Sequence, residues 1–242
     1  MNHDNKQQGF TLIELMLAMT FIAALLVAIA LTTIQISNIY NKGITLREVN
    51  QAGRSVSDEL QRTISSATPF DVTPKGTGDN APASRYVVSA GGGRLCLGNY
   101  TYAWNYGKAL VGGTGAPAII NKYSGVDNTI PIRLVRVTDP DGSLCTTPSL
   151  PAIPKANATD LLTSGDRDLV LHDFSIKETS TEPSTGQSIY AISMVVGTND
   201  RLQLTTNDTS CKAPGDGVGD ENYCSVNQFD IIARAGNKTG SQ

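Results

Sequence analysis

Hydrophobic and polar positions divide this chain into stretches of different period. Residues 9–31 read GFTLIELMLAMTFIAALLVAIAL, and no charged residue occurs from Leu15 to Asn41. An apolar run of about 20 residues is long enough to cross a bilayer as a helix. From Ile36 the apolar or small residues step by threes and fours: Ile36, Ile39, Gly43, Leu46, Val49, Gly53, Val56, Leu60, Ile64 and Ala67. That period marks one face of a helix. Arg47, Glu48, Gln51, Arg54, Asp58, Glu59 and Arg62 fill the opposite face, and the first proline is Pro69. The pattern predicts one helix over about 10–68, roughly 88 Å long at 1.5 Å per residue. Residues 10–35 would lie in a membrane, and 36–68 would continue as an amphipathic rod. Gly43 and Gly53 are its softest points, each costing about 1 kcal/mol relative to alanine. They mark a bend or the close approach of a neighbouring helix.

Beyond Pro69 the period changes. Runs at 85–89, 94–97, 100–104, 130–137, 168–177, 188–196, 201–205 and 226–233 read as strands, several with alternation such as Tyr100, Tyr102 and Trp104. DPDG at 139–142 is a turn signal, and TSTEPSTGQ at 179–187 reads as a hairpin loop. Residues 74–84 form a Pro/Gly/Asn connector, and 148–165 are expected to be an exposed loop. The expected fold is α+β: a long N-terminal helix whose second half packs on an antiparallel β-sheet domain spanning 69–242. A coiled coil is the alternative for the amphipathic half. The strand-rich region that follows directly favours packing on a sheet.

Glu14 is the one ionisable group inside the apolar run. Charge at bilayer depth costs about 2.5–3.5 kcal/mol on insertion scales, so the acid calls for a partner. The residues before Gly9, MNHDNKQQ, are short and polar. A secretory signal is cut after its apolar stretch. Here the Gly9–Phe10 bond precedes the stretch, so a cut there would leave the helix on the mature chain. The new amine on Phe10 would lie one helical turn from Glu14, on the same face. In the alternative reading Glu14 only offsets the helix dipole and reaches toward the interface.

The polar leader, the glycine and FTLIEL at 10–15 resemble the class III leader of type IV pilins and of type II secretion pseudopilins. The resemblance covers at most the first third of the chain. It implies a prepilin peptidase that cuts after Gly9 and methylates Phe10. It places Glu14 at the family's fifth mature position, where the acid pairs with the N-terminal amine of a neighbouring subunit. It also implies a pilin fold, a single-pass precursor in the inner membrane, and then an extracellular fimbrium. Copies of this chain, or other pilins, would co-assemble there through a platform protein and an assembly ATPase, serving adhesion, twitching motility or type II secretion. Many major pilins carry a proline within the apolar segment and this chain has none, which tilts the resemblance toward minor pilins and pseudopilins. YTYAW followed by IRLVRV loosely resembles the pseudopilin J and minor pilin W group.

Composition narrows the rest. The chain has 242 residues, a formal net charge of -3 and four cysteines, which is enough for one helix and one globular domain. The balance gives no basic footprint, so nucleic acid is not an expected partner. Four cysteines allow three pairings. The local pair Cys211 and Cys224 closes CKAPGDGVGDENYC, a loop with little else to hold it, and this leaves Cys96 with Cys145. An anchor that exports the domain puts these thiols where disulfides persist. The C-terminal loop also resembles the variable surface region of type IV pilins. It carries Asp216, Asp220, Glu221 and Asn222, oxygen ligands that suit calcium. A solvated acidic turn is the favoured reading, and no cofactor is expected. His3 and His172 lie in no nucleophile motif, so an enzyme is not expected. Three functions stay open: a pilus subunit, a minor pilin or pseudopilin that primes or tips a secretion or DNA-uptake filament, and a membrane-anchored surface-binding module.

Overall fold

The computed structural model describes residues 11–73, 85–146, 150–162, 165–182, 184–213, 215–216 and 221–236. The connector 74–84 and the leader lie outside them. Helix α1 runs Leu12–Ser66, 55 residues, about 83 Å at 1.5 Å per residue. It ends where Ala67 turns to extended backbone and its N–H bonds back to the Ile64 carbonyl. Pro69 follows two residues later.

The helix has two unlike halves. Every residue from Thr11 to Tyr40 is exposed, and burial begins at Thr45. From there Val49, Ala52, Gly53, Val56, Ser57, Leu60, Thr63 and Ile64 are buried. The expected stripe is therefore corrected at its start: Ile36 is 68% and Ile39 74% exposed, and Leu46 also faces outward. Thr45, Ser57 and Thr63 enter the buried face although they are polar. Thr45 and Ser57 donate to carbonyls one turn back, at 2.9 and 2.8 Å, and Thr63 shares a 2.7 Å hydrogen bond with the Tyr102 hydroxyl. Satisfied hydroxyls of this kind can sit in a core without a desolvation penalty.

The domain holds two antiparallel sheets rather than one. The five-stranded sheet has the order β1 (Tyr86–Ser89), β2 (Gly92–Leu97), β3 (Tyr100–Asn105), β4 (Leu134–Thr138), β5 (Ala158–Asp160); α2 (Gly107–Val111) follows β3, and α3 (Ser143–Thr146) follows β4. The three-stranded sheet has the order β6 (Leu169–Glu182), β7 (Gln187–Thr198), β8 (Val226–Ala235). The hairpin expected at 179–187 is shorter than that: the chain turns between Glu182 and Gln187, and Ser180, Thr181 and Glu182 still pair with β7. α1 lies mainly against β8 and the turn Glu221–Tyr223, and less against β7, with Gly53 directly over the Phe229 ring. Tyrosines stitch the sheets together: the Tyr86 and Tyr106 hydroxyls donate to the Phe174 carbonyl at 3.2 and 3.4 Å. Burial pushes the Tyr106 phenol up to about 12, so it stays a donor.

A second small core covers the far face of the five-stranded sheet, built from Ala103, Tyr123, Ile132, Val135, Val137, Leu144 and Ile153. Its anchor is Arg94, fully buried, which donates to Asn121 Oδ1 at 2.6 Å, Leu144 O at 3.0 Å and Pro151 O at 2.7 Å. Burial lowers its pKa to about 10, still far above neutral, so it remains a cation.

Three strand readings are corrected. The run 130–137 joins the β3 ladder only from Leu134; Pro131 makes a single bridge to Lys122 instead. Residues 201–205 are not a strand but a turn with one bridge, Leu204 to Cys211; Leu202 is 59% exposed. The described part of 148–165 is no plain exposed loop: Ile153 and Leu162 are buried and β5 pairs with β4.

Candidate functional site

The site begins where α1 begins. Thr11 is the N-cap; its hydroxyl accepts from Glu14 N at 3.4 Å, and the Glu14 carboxylate accepts from Thr11 N at 3.5 Å and Thr11 Oγ1 at 3.3 Å. This reciprocal capping box satisfies orphan donors of the first turn and sets an acid against the positive end of the helix dipole. Thr-x-x-Glu ahead of an apolar run was the readable signal for it. In a single chain the acid is thus not bare. Its bonds are long, its side chain is exposed, and a carboxylate accepts about four hydrogen bonds, so capacity remains for a cation. Gly9 and Phe10, which flank the expected cut, lie outside the described residues.

From Leu12 the helix presents an apolar surface on all sides, and its most apolar stretch has no residue buried against the domain. The hydroxyls within it turn inward: Thr20 donates to Leu17 O at 2.8 Å, and Thr32 and Thr33 donate to Ile29 O at 2.8 and 2.9 Å. Self-bonded in this way, they tolerate an apolar surrounding. A rod of this kind needs lipid or other helices around it.

At the other end of the exposed half, the C-terminal segment clamps α1. Thr45 Oγ1 donates to Asn222 O at 3.3 Å. Glu48 accepts from Asp166 N at 3.4 Å and Arg167 N at 3.0 Å, and the Arg167 guanidinium sits 4.3 Å from the centre of the Tyr223 ring. Asn227 donates to Asn50 Oδ1 at 2.7 Å. Disulfides join Cys211 to Cys224, with Cα atoms 6.0 Å apart, and Cys96 to Cys145, 6.3 Å apart. The 211–224 loop is therefore held at its Cys224 end by the helix as well as by its bridge. Of the four expected calcium residues, Asp216 is exposed, Asn222 gives its carbonyl to Thr45, and Asp220 and the Glu221 side chain lie outside the described residues. Among the described residues no group of three acids, histidines or cysteines is placed to hold a metal. Sequence reasoning missed Thr45, Glu48 and Arg167, which look like ordinary helix and loop surface.

Residues 4–31 match the family model of the prokaryotic N-terminal methylation motif. The chain carries a type IV pilin-type leader. Precursors with this leader, pilins and pseudopilins alike, are processed by a prepilin peptidase and serve as structural proteins. The match spans the leader and the apolar half of α1, and the rest of the chain lies beyond it. No curated protein and no solved structure matches this chain.

Proposed function

We propose that this precursor is cut between Gly9 and Phe10, methylated on Phe10, and assembled as a structural subunit of a type IV pilus or pilus-like filament. The observation that carries the proposal is the unlike pair of helix halves. The methylation motif ends in an apolar rod, fully exposed from Leu12 to Tyr40, fused without a break to a helix half that folds the domain. Lipid covers the rod in the precursor. Neighbouring copies or other pilins cover it in the filament, brought there by an assembly platform. Glu14 keeps acceptor capacity for the Phe10 amine of a neighbour, and the pair forms at the cost of loosening the Thr11 cap.

The test is intact-mass spectrometry of sheared filaments together with Glu14→Val. Mature chains should begin at Phe10 with one added methyl, and Gly9→Val should leave the precursor uncut. Glu14→Val should be cut normally but be incorporated poorly. Assembled chains that retain MNHDNKQQG, or wild-type incorporation of Glu14→Val, would refute the proposal. A second reading, a minor pilin or pseudopilin that primes or tips a filament, is favoured by the proline-free α1, which stays continuous from Leu12 to Ser66. Copy number per fibre separates the two: thousands for a major subunit, a few for a minor one. A membrane-anchored binding module would be processed yet absent from filaments.

A further inference from the structure

His172 stands at an irregularity of the β6–β7 ladder, between Leu171 and Asp173. Its ring is wedged between two glycines. A Cβ at Gly197 would lie 3.1 Å from His172 Nε2, and one at Gly107 would lie 3.3 Å from Cε1. Nε2 is 3.1 Å from the Thr198 carbonyl. A carbonyl only accepts, so Nε2 carries the hydrogen and Nδ1 a bare lone pair. That Nδ1 is buried and has no hydrogen-bond partner among the described residues; the same holds for Asn199 Oδ1 and Gln203 Nε2 on the segment that follows β7. Asn199 Oδ1 borders the same space, 2.9 Å from where a Gly107 Cβ would stand.

The charged groups around the ring come from two elements. Asp208, buried and at positive φ (55°), belongs to the 199–213 segment, and Lys108 belongs to α2; they pair at 3.5 Å. β7 offers only Gly197 and Thr198 there, and the stretch entering β8 only Ser225 and Val226. Asp173 is the neighbour on the ring's own strand. An added proton on Nδ1 would therefore meet burial and the Lys108 ammonium, opposed by the Thr198 carbonyl at Nε2 and by Asp208.

We propose that His172 is a proton-operated latch: uptake of a solvent proton at Nδ1 sets an imidazolium beside Lys108 and releases the 199–213 segment from α2 and β6. The segment contains Cys211, bridged to Cys224, so the release reaches the clamp on Thr45. The device couples external acidity to the part of the domain nearest the exposed rod.

The sign follows from linkage. Burial, the largest cause, and Lys108 hold the imidazole below its ordinary 6.5, against a lesser pull from Asp208 and the Thr198 carbonyl. Once the 199–213 segment opens, His172 on β6 reaches solvent, titrates near the ordinary 6.5 of an imidazole, and takes up the proton first. Opening is then favoured below that pH, by up to about 30-fold at pH 5 with the closed form neutral and by less where the closed form also takes up a proton. The chain has only two histidines, so the ring signal of His172 is easily resolved.

The experiment uses the full chain in lipid nanodiscs with labelled histidine. The His172 signal should titrate below 6.5. Deuterium exchange in 199–213, corrected for intrinsic rate, should rise at least fivefold from pH 7.5 to 5.0, and His172→Gln should abolish the rise. A midpoint at or above 6.5, no rise in the native chain, or an equal rise in His172→Gln overturns the proposal. If that variant fails to fold, Lys108→Gln should move the midpoint up and Asp208→Asn should move it down. A midpoint unmoved by either also overturns it.

Discussion

Gly53 of α1 packs against the Phe229 ring of β8, and replacing it with alanine tests that packing. A Cβ built there would fall 2.1 Å from two ring carbons of Phe229 and 2.7 Å from a third. At Gly43 the same atom meets nothing within 4 Å. Helix propensity alone favours alanine by about 1 kcal/mol at either position. At Gly53 the overlap exceeds 1 Å, the upper end of overpacking, which costs about 3 kcal/mol. The net expectation is a loss of about 2 kcal/mol for Gly53→Ala, and between no change and a gain of about 1 for Gly43→Ala. For a unit of this size that difference is several degrees in melting temperature, at about 2–4 °C per kcal/mol. The assay is thermal and urea unfolding of the full chain in mild detergent, with Phe229→Leu and the double variant completing a cycle. The double variant should be more stable than the sum of the single losses by over 1 kcal/mol. If Gly53→Ala raises the melting temperature as Gly43→Ala does, the close approach of α1 to β8 is wrong.

Leu60→Ala should cost about 2–5 kcal/mol, since Leu60 is 2% exposed in the main core; urea unfolding reads it, and a loss under 1 would place the residue at the surface. Glu59 accepts from Arg136 at 2.6 Å and the Tyr102 hydroxyl at 3.1 Å. Burial raises its pKa, but Arg136 and Tyr102 together outweigh that and hold it below the ordinary value. Its contribution, about 1 kcal/mol, is full above pH 4.3 and lost as pH falls through the depressed folded value. Glu59→Gln should therefore destabilise at pH 7 and by less as pH falls through the depressed folded value; a gap that does not shrink on acidification would deny the ion pair. Replacing Cys211 and Cys224 with serine should remove about 3 kcal/mol of loop constraint and raise deuterium exchange first in 199–213 and 221–225, with earlier loss in β6 or β7 as the contrary result. A chelator should leave the melting temperature unchanged if Asp216, Asp220, Glu221 and Asn222 form a solvated turn, whereas stabilisation by added calcium would assign them a metal.

Long-range period was legible in the sequence and mid-range pairing was not. An unbroken apolar run and a 3–4 stripe ending before Pro69 define α1 because helical bonds are local. Glu14 was legible as the odd charge in the run; its capping of Thr11 rests on the Thr-x-x-Glu spacing, which the charge pattern alone does not bring out. The stripe overran at Ile36 and Ile39, since period shows which face a residue lies on and not whether anything covers it. Thr45, Ser57 and Thr63 were missed because a hydroxyl's burial depends on where its hydrogen bond goes. Residues 201–205 alternate like a strand, but Leu204 finds only one bridge partner across a turn. Arg94 looked like strand surface; its burial depends on carbonyls at Leu144 and Pro151, some 50 residues away. Apolar residues scattered among prolines, such as Ile153, gave no period, and so the second core stayed hidden.

The two halves of α1 follow different physics on one continuous rod. Between Leu12 and Tyr40 no side chain is buried against the domain, so substitutions there leave the domain's stability alone and act only through whatever surrounds the rod. From Thr45 onward the buried residues are fixed by β3, β7, β8 or the C-terminal clamp, so substitutions act on the fold first. Glu14→Val and Gly53→Ala are thus opposite probes of one helix. The first should change incorporation at constant melting temperature, and the second should change melting temperature before incorporation. The halves meet where Thr45, Glu48 and Asn50 grip 165–167 and 222–227. If the rod exchanges lipid for neighbouring helices as proposed, strain on the exposed half meets these few polar contacts before it reaches the core.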